Sequence, residues 1–237
     1  MKNKIKIDIW SDVVCPYCYV GLKKLDKALT ATRLGDHFEK SWHSYRLDPG
    51  FPVDISENTP TYLAQRKGVP VGQVMVTFQR LTEQGAQYGI DFQFEKALTF
   101  NTLKAHQLIQ WSKTKGKTDA LEEALFEAHF TLGMDLSKTE VLMSIIEHVG
   151  LPVEEAKASM KNQQYILQIE DDRYTASQYG IRGVPYFIFG EKVIVSGAMP
   201  DPVFENTLKS FASQIQHADS VTEHHTGEVC DIDGNCY

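Results

Sequence analysis

The chain opens with an alternation of apolar and polar residues that is typical of a β-strand. Within residues 4–10 isoleucine occupies every second position, and successive side chains of a strand point to opposite faces of its sheet. After a short turn, apolar residues recur at helical spacing from residue 19 until Leu34-Gly35, a pair typical of a helix end. Aromatic residues among polar ones at 38–47 predict a second strand. The chain therefore begins with a strand, a helix and a strand.

The middle of the chain has helical periodicity almost throughout. Between residues 56 and 161 the apolar positions recur as they do on one face of a helix. Within this block we expect helices that include 101–115, 118–132, 137–149 and 153–160. The pattern then predicts a helix at about 164–179, strands at 186–189 and 192–196 around a Gly190-Glu191 turn, and a helix at about 201–214.

The order of these elements predicts an α/β protein with a thioredoxin fold and an inserted helical subdomain. Without the helical block the order is β-α-β followed by α-β-β-α, which is the order of a thioredoxin fold. Val184-Pro185 precedes the first strand of the last hairpin, and a proline is compatible with a strand start. We expect a first thioredoxin-fold part at 1–50, a helical insertion at 51–162, a second thioredoxin-fold part at 163–216 and an acidic tail at 217–237.

Composition and charge exclude several classes of protein. The chain has 237 residues, with 24 lysines and arginines against 31 aspartates and glutamates, and a formal net charge of −7. Because nucleic-acid binding needs clustered positive charge and no such cluster occurs, we expect no nucleic-acid partner. No apolar run reaches the roughly 18 residues of a membrane span, and the start of the chain lacks the apolar stretch of a secretory signal. We therefore expect a cytoplasmic protein with no membrane partner.

Two cysteines separated by two residues lie at the predicted turn between the first strand and the first helix. Pro16 fits the first helical turn, where its missing N–H has no partner to lose. Cys15 lies at the positive end of the helix dipole, which favours a thiolate, the nucleophile of disulfide exchange. We therefore expect an exposed, attacking Cys15 and a shielded Cys18 that resolves the mixed disulfide. A zinc half-site or an inert core pair is the alternative, but structural zinc needs two more nearby ligands.

Three segments of the chain resemble the DsbA superfamily, and specifically its FrnE-like cytoplasmic branch. They are residues 11–21 (SDVVCPYCYVG), Asn101-Thr102 before an Ala-His helix, and 183–187 (GVPYF) together with 196–198 (SGA). The similarity extends over about residues 4–211. It implies a thioredoxin fold with a helical insertion and protein dithiol–disulfide exchange. We expect neither a metal nor another cofactor.

The resemblance also implies roles for individual residues. Cys15 is the attacking thiol, Cys18 the resolving thiol, and Val184-Pro185 a cis peptide beside them, with Pro16 and Tyr17 as supporting residues. The implied partners are protein or peptide thiols and disulfides, and glutathione or a thioredoxin-type protein as reductant. Tyr17 stands where the periplasmic oxidase has a histidine, so the direction of electron flow stays open.

Two other functions fit parts of the sequence. Glutathione-dependent isomerases and transferases of the same superfamily typically carry serine in place of the first cysteine, so Cys15 favours disulfide chemistry over them. A chaperone-like module that binds peptides on its helical block is the third interpretation. The apolar stripe of this block is better explained as core, because amphipathic helices usually bury such a face. It consists of Val71, Val74, Met75, Phe78 and Leu81.

Several acidic residues and histidines are further candidates. Asp8 on the first strand and Asp12 before the turn are candidate proton relays to Cys18, although an acid in such a turn often only caps the helix. His106 and His129 are candidate acid–base groups, but the sequence pairs no nucleophile with either of them.

The acidic tail carries the second pair of cysteines, Cys230 and Cys236. We expect an auxiliary redox-active pair, because a disulfide across so short a loop adds little stability. The alternative is a disordered tail with incidental cysteines, since chain termini are commonly disordered. His224 and His225 complete a set of four metal ligands, but the two histidines are adjacent and the cysteines are spaced too widely for a zinc ribbon. Residues 231–235 resemble the opening of a calcium loop but lack its glycine spacing and its closing glutamate.

Overall fold

The computed structural model describes residues 4–212 and residue 215. In chain order its elements are β1 (Ile5–Ser11), α1 (Pro16–Thr32), β2 (Phe38–Ser44), β3 (Ser56–Asn58), α2 (Thr59–Lys67), α3 (Val71–Ala86), β4 (Leu98–Phe100), α4 (Leu103–Lys113), α5 (Thr118–Phe130), α6 (Thr139–His148), α7 (Val153–Ser159), α8 (Gln163–Gln178), β5 (Tyr186–Phe189), β6 (Val193–Ser196) and α9 (Asp201–Ser210).

A central sheet of four strands has the order β2-β1-β5-β6. β1 runs parallel to β2 and antiparallel to β5, and β5 pairs antiparallel with β6. α1 connects the two parallel strands, as a parallel pair requires a crossover. The chain therefore has a thioredoxin fold with helices inserted between β2 and α8, and the predicted fold class is confirmed.

The two faces of β1 pack against different layers. Ile7 and Ile9 are fully buried in a core to which α1 and α9 also contribute. Trp10 points to the opposite face, where it packs with Ala176 of α8 and Ile188 of β5. The chain leaves the end of β1 and turns directly into α1, so the cysteine motif lies at the edge of the sheet.

The helical block has its own apolar core and also extends the first one. Leu108, Leu125 and Ile146 from α4, α5 and α6 are fully buried together. Phe78 of α3 stacks on Phe94 at a centroid distance of 4.1 Å and belongs to the same core as α1. The interpretation of the α3 stripe as core is confirmed at Phe78, whereas the division of the chain into four parts stays a prediction.

Local features agree with the sequence to different degrees. Gly190 and Glu191 have positive φ angles of 53° and 60°, as a tight hairpin turn requires. The small antiparallel sheet of β3 and β4 was not predicted, because three-residue strands are too short to show an alternation.

Between residues 4 and 212 no helix is long and apolar enough to cross a membrane.

Candidate active site

The two cysteines lie at the start of α1. Cys15 is the N-cap residue, with an extended backbone (φ −96°, ψ 107°), and Pro16 occupies the first turn of the helix. The N–H of Cys15 donates to the carbonyl oxygen of Asp12 at 2.9 Å, and the N–H of Cys18 donates to that of Cys15 at 3.0 Å. This turn places both free thiols at the positive end of the helix dipole.

The loop before β5 meets Cys15. The peptide bond between Val184 and Pro185 is cis, as the resemblance implies. The Cys15 thiol donates to the carbonyl oxygen of Val184, with Sγ and oxygen 3.5 Å apart. The tertiary structure thus brings together two parts of the chain that are separated by more than half of its length.

Gly21 allows α1 to approach this loop, although no local pattern in the sequence explains a glycine within this helix. A Cβ atom at this position would lie 3.0 Å from Cγ of Pro185 and 3.3 Å from Cζ of Phe187. Contacts this short require the neighbours to move. Glycine inside a helix costs about 1 kcal/mol relative to alanine, and close packing against the proline is the physical reason for it here.

The expectation that the Cys15 side chain is exposed is wrong. Only 4% of Cys15 is exposed and Cys18 is fully buried, because both belong to the core under the sheet. Tyr17 is the exposed side chain of the motif, at 44%. An approaching partner therefore meets Tyr17 before it meets either sulfur.

The surroundings of Cys18 keep its proton in place. Burial raises the pKa of the Cys18 thiol well above its ordinary value, and the hydrogen bond and charge of Cys15 raise it further. The backbone of Asp12 and the Ser11 hydroxyl act in the opposite direction without offsetting these effects. Cys18 is therefore a neutral thiol at neutral pH.

Asp12 is buried beneath the motif and joins it to the helical block. Its Oδ1 lies 3.2 Å from Nε2 of His106 on α4, and its Oδ2 accepts a hydrogen bond from the N–H of Leu47 at 2.7 Å. The α1 N-terminus has no side-chain cap, so the alternative that Asp12 caps the helix is wrong. Its role as a relay stays a prediction.

Other buried ionisable groups lie within reach of the Asp12 charge. Burial lowers the pKa of His129 to about 4, so its imidazole is neutral at neutral pH. Burial, and then the charges of Asp12 and Asp119, raise the pKa of Glu122 to about 8. Glu122 is a site feature that the sequence did not reveal, because nothing in its local pattern distinguishes it from a surface glutamate.

Asp8 belongs to a different network. Its Oδ1 lies 2.8 Å from Nε2 of His43, and Nδ1 of His43 lies 2.6 Å from Oδ1 of Asp172 on α8. Along β1, Asp8 alternates with residues that face α1, so it points to the opposite side of the sheet from Cys18. The proposal that Asp8 relays protons to Cys18 is therefore wrong.

The cysteines and histidines of the tail lie outside the described residues. This applies to Cys230, Cys236, His224 and His225 and to the segment 231–235. Within 4–212, no group of three or more His, Cys, Asp or Glu side chains is arranged to hold a metal ion.

Comparisons with known proteins match this fold. The family model of the DSBA-like thioredoxin domain matches residues 6–209. The structure of the probable DsbA oxidoreductase SCO1869 from Streptomyces coelicolor superposes with a TM-score of 0.82 and 29% identity over 98% of both chains.

Two more distant structures share the fold at lower identity. A 2-hydroxychromene-2-carboxylate isomerase has a TM-score of 0.64 and 16% identity over 91% of this chain and 98% of its own. The cytosolic disulfide reductase DsbM of Pseudomonas aeruginosa, also determined with GSH, has a TM-score of 0.61 and 15% identity over 90% of this chain and 98% of its own.

Proposed function

The chain belongs to the family of DSBA-like thioredoxin domains, and from this premise we propose that it is a protein dithiol–disulfide oxidoreductase. The observation that carries the proposal is the meeting of Cys15 with the cis Val184-Pro185 peptide at the start of α1. Cys15 attacks and Cys18 resolves, with Pro16 and Tyr17 supporting the motif. A cytoplasmic location and membership of the FrnE-like branch are part of this proposal.

The exchange proceeds in two substitutions at sulfur. The Cys15 thiolate attacks one sulfur of a substrate disulfide, the substrate S–S bond breaks, and the other substrate sulfur leaves as a thiolate that takes up a proton. Cys18 then loses its proton and attacks Sγ of Cys15, which releases the second substrate thiol. The substrate gains two electrons and the enzyme ends with a Cys15–Cys18 disulfide. The reverse sequence oxidises a substrate dithiol.

The environment of Cys18 supports this order of events. A charge on Cys15 is one of the causes that raise the pKa of Cys18. When Cys15 is tied up in a mixed disulfide it carries no charge, so this cause disappears and Cys18 deprotonates more readily. Cys18 therefore stays protonated until the mixed disulfide has formed.

Polypeptides and small thiols are the proposed partners. An extended peptide is proposed to lie along the loop before β5, which contacts Cys15, because backbone pairing is a common mode of peptide recognition. Glutathione or a thioredoxin-type protein supplies or removes the electrons, and a structure of the related DsbM was determined with GSH.

Two alternative functions are distinguished by simple observations. A 2-hydroxychromene-2-carboxylate isomerase shares the fold. Disulfide exchange is favoured over a glutathione-dependent isomerase because Cys15 stands where that class typically has serine. Conversion of an isomerisable substrate without formation of a mixed disulfide would favour the isomerase. A peptide-binding chaperone would need an exposed apolar face, whereas Phe78 and Leu81 of α3 are only 5% and 3% exposed.

Substitution of each cysteine tests the proposal. Cys18→Ala removes the resolving thiol, so a mixed disulfide with Cys15 should accumulate and be released by dithiothreitol. Cys15→Ser is the matched control and should neither form this adduct nor reduce insulin, because a hydroxyl cannot replace a thiolate in exchange. Mass spectrometry of the trapped adduct identifies the partner. If Cys15→Ser reduced insulin at the wild-type rate, the redox centre would have to lie elsewhere in the chain.

Cys230 and Cys236 are proposed as an auxiliary redox pair that exchanges electrons with the first one. The support is their close spacing and the FrnE-like resemblance, in which some members carry a C-terminal cysteine pair. Such a pair would pass electrons between Cys15–Cys18 and a reductant or substrate.

A further inference from the structure

Lys24 is a charged residue that α1 buries. Only 3% of its surface is exposed. Its Nζ donates to the carbonyl oxygens of Ala198 and Met199, at 3.1 Å each. An ammonium group is costly to bury without such partners, so a residue that served only to pack α1 would be apolar.

Burial lowers the pKa of Lys24, and the groups around it offset this cost only in part. Asp201, at the start of α9, attracts the ammonium group, and the Tyr88 ring lies 5.5 Å from Nζ. The Tyr88 hydroxyl donates to Asp201, and Lys27 forms an ion pair with the same carboxylate at 2.6 Å. Groups from α1, from α9 and from the loop after α3 therefore surround the ammonium group of Lys24.

The carbonyl groups that Lys24 holds belong to the loop beside the cis proline. This loop, residues 197–200, follows β6, and the N–H of Gly197 donates to the carbonyl oxygen of Pro185 at 2.8 Å. The N–H of Met199 donates to the carbonyl oxygen of Gly197 at 2.9 Å, which makes the loop tight. The preceding carbonyl, that of Val184, accepts the hydrogen bond of the Cys15 thiol. A short series of contacts therefore runs from Lys24 to the attacking sulfur.

We propose that Lys24 is a positioning residue that holds the 197–200 loop against the cis-proline peptide and thereby favours polypeptide disulfides over small ones. The inference rests on the proposed function. A polypeptide must lie along the cis-proline loop, so its binding depends on the position of that loop. A small disulfide needs only access to Cys15, so its reaction does not depend on the position of the loop. Met199, which is 41% exposed, places an apolar side chain on this loop for the polypeptide to contact.

The test compares Lys24→Met with Lys27→Met. Both substitutions remove one lysine charge from α1, but the Lys27 side chain is 57% exposed, and its contacts with Asp201 and with the Tyr88 ring contribute little at such a position. Two substrates are used with each full-length variant, namely insulin as the polypeptide and hydroxyethyl disulfide as the small one. Lys24→Met should raise the KM for insulin about tenfold, as expected for the loss of charge-assisted hydrogen bonds, while kcat stays within about twofold. The rate with hydroxyethyl disulfide should stay within about twofold of wild type in both variants, because this substrate does not lie along the loop.

The two-substrate design separates positioning from stability. Destabilisation alone would lower the rates for both substrates in proportion to the folded fraction, and that result overturns the inference. An unchanged KM for insulin also overturns it. If Lys24→Met does not fold, Lys24→Gln, which keeps two N–H donors without the charge, is judged by the same ratio of KM values. If the wild-type protein reduces neither substrate, the proposed function is overturned instead.

Discussion

His43 joins two carboxylates from different elements on the side of the sheet away from the cysteines. Its ring nitrogens lie 2.8 Å from Asp8 on β1 and 2.6 Å from Asp172 on α8. An ionised carboxylate only accepts hydrogen bonds, so both contacts are hydrogen bonds when both ring nitrogens carry a proton, as in an imidazolium. Asp172 also accepts hydrogen bonds from the N–H of Ser44 and from Nε2 of Gln110, at 2.7 and 2.6 Å. The network thereby fixes α8 against β2 and α4.

Replacing His43 by leucine removes both donors and leaves two carboxylates close together. The side chains of Asp8 and Asp172 are 17% and 12% exposed, so water compensates them only in part. We expect a loss of about 3 kcal/mol in the free energy of unfolding, at the low end of the range for removing one partner of a buried ion pair. For a protein of this size that corresponds to a fall in Tm of about 6–12 °C.

The pH dependence of this loss follows from the two pKa shifts. Burial alone would lower the pKa of His43, but Asp172 and Asp8 outweigh it and raise that pKa above its ordinary value of about 6.5. The stabilisation is therefore complete below about pH 6.5 and is lost as pH rises through the pKa of the folded state. Burial acts to raise the pKa of Asp8, but His43 outweighs it and the pKa is lowered. The Asp8 contribution is present above about pH 4 and is lost as pH falls through its folded pKa.

Urea unfolding of wild type and His43→Leu at several pH values measures this contribution. Tryptophan fluorescence is a suitable signal, because Trp10 stacks on His43 with ring centroids 4.3 Å apart. His148→Leu is the control, since His148 is exposed at the end of α6. The difference between wild type and His43→Leu should be largest at about pH 5–6 and should shrink in alkaline solution. A loss below about 1 kcal/mol, or a difference that grows with rising pH, would refute the reasoning.

Two further substitutions test the active site and the tail. Gly21→Ala places a Cβ atom 3.0 Å from Pro185 Cγ, so we expect a net loss of about 1 kcal/mol, from overpacking of about 1–3 kcal/mol less the helix propensity gained, and slower insulin reduction. Urea titration and the insulin assay check this, and a more stable protein with full activity would contradict it. Truncation at His217 should preserve the fold and basal exchange but change the turnover with a protein substrate or reductant. Identical kinetics across several reductants would show that Cys230 and Cys236 have no auxiliary role.

Features that depend on neighbouring residues were predictable from the sequence. The alternation of β1, the helix that begins at Pro16 and the Gly190-Glu191 turn each reflect short-range geometry, and the structure has all three. The helix at 101–115 was predicted to within about two residues of its observed ends, Leu103–Lys113. The cis Val184-Pro185 peptide, by contrast, was implied only by family resemblance, because local preference favours trans.

The tertiary structure alone decided which distant side chains meet. Asp8, His43 and Asp172 lie on three separate elements, and each resembles an ordinary polar residue in its own segment. Lys24 occupies a helix position that looks exposed among other lysines, and only the approach of the 197–200 loop buries it. The burial of Cys15 has the same origin, because residues far along the chain cover it. Periodicity reports which face of an element is apolar, but the contacts of a polar group depend on how separate elements pack, and no short stretch of sequence contains that information.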